Sequence, residues 1–167
     1  MQLAYFCMGK EPIEPCIHHI QSRRFSPYKS IKMTAEELLQ RYAAGQRDFQ
    51  GVNLSDEVLS WADLTGANLS GANLSGVILN WANLSQVKLR CANLSNSDLN
   101  WANLERADLQ GANLSGAEVS AANLNGADWS GAIMPDGTIW SEQNGSQDSR
   151  FLSWLVRFFR QENNRDF

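Results

Sequence analysis

The chain has 167 residues, 43% of them hydrophobic and 19% charged, a size that fits one domain. Its 14 Lys and Arg against 18 Asp and Glu give a formal net charge of −4, so it lacks the excess of cations that a phosphate-backbone binder uses, and no direct nucleic-acid binding is expected. No apolar run approaches the length of a transmembrane segment and the start carries no secretory pattern, so a soluble, cytoplasmic chain is expected.

Residues 1–32 show no sustained periodicity, are interrupted by Pro12, Pro15 and Pro27, and carry Arg23, Arg24, Lys29 and Lys32. They read as a flexible N-terminal extension. Cys16, His18 and His19 have only Cys7 nearby, at a spacing that matches no strong zinc pattern, so no metal or cofactor is expected. With Cys91 the cysteines form an odd set in unlike segments, which points to reduced thiols.

Residues 33–46 predict a short N-terminal capping helix. Thr34 and Glu37 make a capping box, Leu38, Leu39, Tyr42 and Ala43 supply an apolar face, and Gly45 is placed to end it. Met33, immediately before the box, is a candidate native start.

From Phe49 to Trp129 a bulky apolar residue returns at every fifth position, seventeen times without a slip. Ala is preferred two positions before this centre, and Asn or Asp stands one position before it in thirteen of the seventeen units. A period of five fits neither the 3.6 of a helix nor the alternation of a strand. It fits a coil in which each unit makes one of four sides, with the centre and the residue two before it pointing inward. Successive coils of twenty residues would stack about 4.8 Å apart with parallel backbone bonds. The recurrent Asn and Asp read as turn chemistry, and Gly66, Gly71 and Gly76 stand where the chain bends. Asp63, Asp98, Asp108 and Asp128 are not read as catalytic carboxylates, because Asn fills the same slot in most other units. Arg47, Val52 and Glu57 occupy the small inward slot in the first units, where an irregular first coil is expected.

The runs ADLTGANLSGANLSG (62–76) and ADLQGANLSGAEVSAANLNGADWSG (107–131) resemble the pentapeptide-repeat family, in particular its short cyanobacterial members. The resemblance implies an all-β solenoid, a right-handed quadrilateral β-helix over residues 47–134 with short flanking α-helical caps. It implies no activity, since most members have no assigned biochemical role.

Met134 keeps the register once more before Pro135, Asp136 and Gly137 break it, and residues 135–147 read as a polar linker. Residues 148–163 predict a C-terminal capping helix with a broad apolar stripe that includes Phe151, Leu152, Leu155, Phe158 and Phe159. A lid on the last coil is the favoured reading of that stripe. Its rivals are a dimer surface and a membrane-surface helix, so the chain is expected to be a monomer or a dimer held by this helix.

Function would have to sit on the outward positions. Trp61, Trp81 and Trp101 are twenty residues apart, which places them on one side of three consecutive coils. Such a row of stacked aromatics either binds a partner or only stabilises the layers. A hydrolytic enzyme is disfavoured: the repeats contain no histidine, and no phosphate-binding Gly loop or HExxH pattern occurs. The resemblance also implies a specific alternative, since some family members mimic duplex DNA and inhibit or protect a type II topoisomerase. Residues 47–133 hold nine acidic and four basic residues, a weak and mixed charge for that role. The expected function is a non-enzymatic structural or protein-interaction module with an unspecified protein partner.

Overall fold

The computed structural model describes residues 32–140. The expected extension before residue 32 and the expected C-terminal helix, with Phe151, Leu152, Leu155, Phe158 and Phe159, lie outside the described residues.

Helix α1 (Ala35–Ala43) starts where its sequence dictates: the Thr34 hydroxyl accepts the Glu37 amide at 3.2 Å, and Gly45 leaves the helix at φ +94°. The apolar face is narrower than the sequence suggests. Leu38 is buried and Tyr42 half-buried, whereas Leu39 and Ala43 are exposed. A helix of nine residues docks along one edge, and Leu39 and Ala43 lie about 100° round from Leu38 and Tyr42.

From Asp48 onward the chain coils with a period of twenty. Parallel bridges join Asn53 to Asn73, Asn73 to Asn93 and Asn93 to Asn113, and three further columns of the same kind complete each coil. Within one column the amides of Leu54, Leu74, Leu94 and Leu114 donate to carbonyls nineteen residues on, at 2.7–2.8 Å. Each side ends in a tight turn closed by a bond such as Ala67 N–H to the Leu64 carbonyl at 3.0 Å. The third residue of every such turn has positive φ and the second does not, the signature of a type II turn. Glycine fills that corner in eight units, and nine carry a residue with a side chain.

The inward rows are the core. The Leu centres from Leu54 to Leu114 are at most 1% exposed, with Ala67, Ala72, Ala82, Ala92, Ala102 and Ala112 packed beside them. Val77 and Val87 fit the same small slot, and Ser97 fits it because its hydroxyl donates to the Leu94 carbonyl at 2.7 Å.

All thirteen Asn or Asp residues of the repeats accept the backbone amide two residues on through Oδ1. These bonds hold the side against its corner. They also favour the charged carboxylate: the Thr65 hydroxyl and amide hold Asp63 below its ordinary value. At Asp128 burial opposes the charge, but bonds from Ser130 and Gln110 and the nearby Arg90 outweigh it, so this carboxyl is lowered too.

The first coil is not irregular. It keeps the bridges and turn bonds of the others; Val52 packs against the core, while Glu57 and Arg47 reach to α1. Glu57 accepts the Ala35 amide at 2.9 Å and pairs with Lys32 at 3.5 Å. The Arg47 guanidinium lies over the Tyr42 ring, 3.8 Å from its centre. No coil lies below these positions to demand a small side chain. At the other end Pro135 to Gly137 reverse the chain, and residues 138–140 pair antiparallel with the edge of the last coil, Met134 N–H bonding the Thr138 carbonyl at 2.7 Å. Cys91, expected as a thiol, is disulfide-bonded.

Candidate functional site: the tryptophan corner

One corner of the coil differs from the other three. Its positions, twenty residues apart, are Trp61, Trp81, Trp101 and Ala121. The coil spacing lets flat rings sit one above another. Trp61 and Trp81 are stacked with centres 5.0 Å apart and planes 4° from parallel; for Trp81 and Trp101 the values are 4.7 Å and 1°.

All three tryptophans hold φ between 62° and 64°, a conformation that is an outlier for a bulky side chain. Left-handed backbone costs about 1–2 kcal/mol per residue for side chains with a Cβ. Two stacked pairs return about 0.5–1.5 kcal/mol each beyond area burial. Stacking alone therefore does not offset the backbone cost, and burial of the inner ring edges must supply the rest. That contribution is smallest at Trp61, which is 71% exposed, larger at Trp81, which is 44% exposed, and larger again at the half-buried Trp101.

The row beside the corner on the preceding side is Val58, Ile78, Asp98 and Glu118. Val58 and Ile78 fall in the slot that Asn or Asp fills elsewhere, and both are exposed. Of the six large hydrophobic residues exposed among the described residues, four are Val58, Trp61, Ile78 and Trp81, on two adjacent coils of one side. Above them the same row turns acidic. Asn100 positions both carboxylates, its backbone amide donating to Asp98 at 3.0 Å and its side-chain amide to Glu118 at 2.8 Å. Between the two rows lie Ser60, Asn80, Asn100 and Ser120. Asn80 Oδ1, buried between Ile78 and Trp81 in sequence, is the one buried side-chain oxygen or nitrogen without a hydrogen-bond partner among the described residues.

The contrasting surface is the row Asn53, Asn73, Asn93 and Asn113. Each upper amide donates to the carbonyl oxygen of the Asn one coil below, at 3.1, 3.2 and 3.4 Å, while that oxygen also accepts its own turn amide. Two basic residues of the coils stand among acids in other rows: Arg90 lies 3.9 Å from Asp108, and Arg106 lies 3.8 Å from Glu105.

Sequence spacing alone locates the three tryptophans. It did not single out Val58 and Ile78, although both were visible as exceptions to the Asn/Asp rule. No group of three His, Cys, Asp or Glu among the described residues is placed to hold a metal ion, and no helix there is long and apolar enough to cross a membrane.

The family model "Pentapeptide repeats" matches in eight copies, over residues 48–80, 78–116 and 112–136. Among solved structures, HetL, a pentapeptide repeat protein involved in heterocyst differentiation regulation from the cyanobacterium Nostoc sp. strain PCC 7120, is 44% identical with a TM-score of 0.55, over 56% of this chain and 43% of HetL. The chain thus spans less than half the length of HetL. A pentapeptide repeat protein from the Arabidopsis thaliana thylakoid lumen is 23% identical, with a TM-score of 0.47 over 70% of this chain and 79% of that one. QnrB1, a plasmid-mediated fluoroquinolone resistance protein, is 17% identical with a TM-score of 0.37, over 65% of each chain. No curated protein matches the chain.

Proposed function

The chain belongs to the pentapeptide-repeat family, and from that premise we propose that it is a non-enzymatic protein-interaction module, a right-handed quadrilateral β-helix whose contact surface is the tryptophan corner with Val58 and Ile78. The observation that carries this reading is the exposure of four large apolar side chains on two adjacent coils, in contrast to the Asn53 to Asn113 row, whose side-chain amides bond to one another. A continuous exposed apolar patch rimmed by polar residues is the usual mark of a partner surface. The regulatory involvement named for HetL supports the same class of function. A topoisomerase-directed role draws less support, because Arg90 and Arg106 interrupt the negative charge of the coils away from this corner.

Affinity capture from the source organism, with the intact chain and with Trp81→Ser, tests the reading. Loss of the captured protein by a variant that keeps the wild-type circular dichroism spectrum is the expected result; unchanged capture rejects it. A gyrase supercoiling assay at micromolar protein is expected to show neither inhibition nor protection.

A further inference from the structure

We propose that the occupant of the tryptophan corner is an amphipathic helix of a partner protein, carrying apolar side chains at one end of its contact stripe and Lys or Arg at the other. This rests on the reading of the corner as a partner surface and adds the partner's chemistry.

The polarity of the face comes from the row Val58, Ile78, Asp98 and Glu118, which runs along the coil axis from apolar to acidic. Trp61 and Trp81 flank the apolar half. Lys32, at the apolar end, is already paired with Glu57 at 3.5 Å. The acidic half contains no basic residue in the rows from 98 to 103 or from 118 to 123. Asn100 holds both carboxylates in place while each keeps further acceptor capacity. A cationic group docking there meets two positioned acceptors.

The spacing selects the conformation. Four coils present side chains at about 0, 4.8, 9.6 and 14.4 Å along the axis. A helix presents residues i, i+3, i+7 and i+10 on one face at about 0, 4.5, 10.5 and 15 Å, within roughly 1 Å of every coil. An extended chain places same-face side chains about 6.6 Å apart and loses register by the second coil. The helix therefore sets one side chain against each coil: two apolar ones against Val58 and Ile78 with their tryptophans, and two cations against Asp98 and Glu118. Apolar burial would supply affinity, and the charged half would set orientation and exclude acidic competitors.

Three fluorescein-labelled 14-residue peptides in an Ala/Gln background test this on the full chain by anisotropy. The first has Leu at positions 2 and 5 and Lys at 9 and 12; the second has Glu for Lys, and the third Ser for Leu. The first peptide is expected to bind at least tenfold more tightly than either of the others. Asp98→Asn combined with Glu118→Gln keeps acceptors for the Asn100 bonds and is expected to weaken binding fivefold or more while flattening its salt dependence. Equal binding of the Lys and Glu peptides, no binding of the first peptide up to 1 mM, or indifference to the double variant overturns the cationic helix. These results leave the partner-surface reading to the capture assay, where only unchanged capture by Trp81→Ser rejects it.

Discussion

Two ladders run along the same coils and use the twenty-residue repeat in opposite ways. The Asn53 to Asn113 row closes on itself, since each amide links to its own turn and to the next coil. The tryptophan row stacks equally regularly but occupies a backbone conformation that costs it, and it leaves Trp61 and Trp81 open to solvent beside Val58 and Ile78. Regular stacking is therefore not by itself a sign of a structural role. The difference lies in whether a row's bonding and apolar surface are consumed within the molecule.

Substitutions sharpen that contrast in order of effect. Removing core common to both rows costs most: Leu94→Ala, at a centre with no measurable exposure, should lower the free energy of urea unfolding by about 2–5 kcal/mol. Asn93→Ala removes a turn acceptor and two links of the closed ladder, and should cost about 1–2 kcal/mol in the same assay without altering partner capture. Trp61→Ser, in the open ladder, should cost about 0.5–1.5 kcal/mol, because this ring is 71% exposed and has one stacked neighbour. A loss as large as that of Leu94→Ala would make the tryptophans a structural row.

The smallest effect is on acid stability. Asp63 and Asp128 are both held below the ordinary 3.8 by hydrogen bonds made in the fold. Below that value the unfolded chain binds more protons than the folded one, so their contribution is full above 3.8 and is lost as pH falls through the lower folded values. Urea midpoints measured from about pH 5 down to about pH 2 should fall with pH, and less steeply in a variant with both Asp63→Asn and Asp128→Asn.

Much of this was legible because the repeat is local. Leu at every fifth position and Ala two before it announce the inward rows, and Asn or Asp announces the turn bond, because partners within five residues suffice. Bonds between coils were harder to read. Asn is more useful than Asp in the ladder because its side-chain amide also donates to the residue twenty positions earlier, a neighbour that exists only once the coil has closed. Glu57 looked like a defect until α1 supplied the Ala35 amide that it accepts. Leu39 and Ala43 looked like core, yet a helix docked along one edge leaves them in solvent. Val58 and Ile78 were readable as departures from the Asn/Asp rule, but their significance depends on the corner they share with Trp61 and Trp81.

The contrast between the ladders is tested most directly by partner capture with Trp81→Ser and Asn93→Ala side by side, each checked for folded content. The open ladder serving a partner predicts that Trp81→Ser loses the captured protein while the less stable Asn93→Ala retains it. Retention by Trp81→Ser, or equal loss by both, would contradict it.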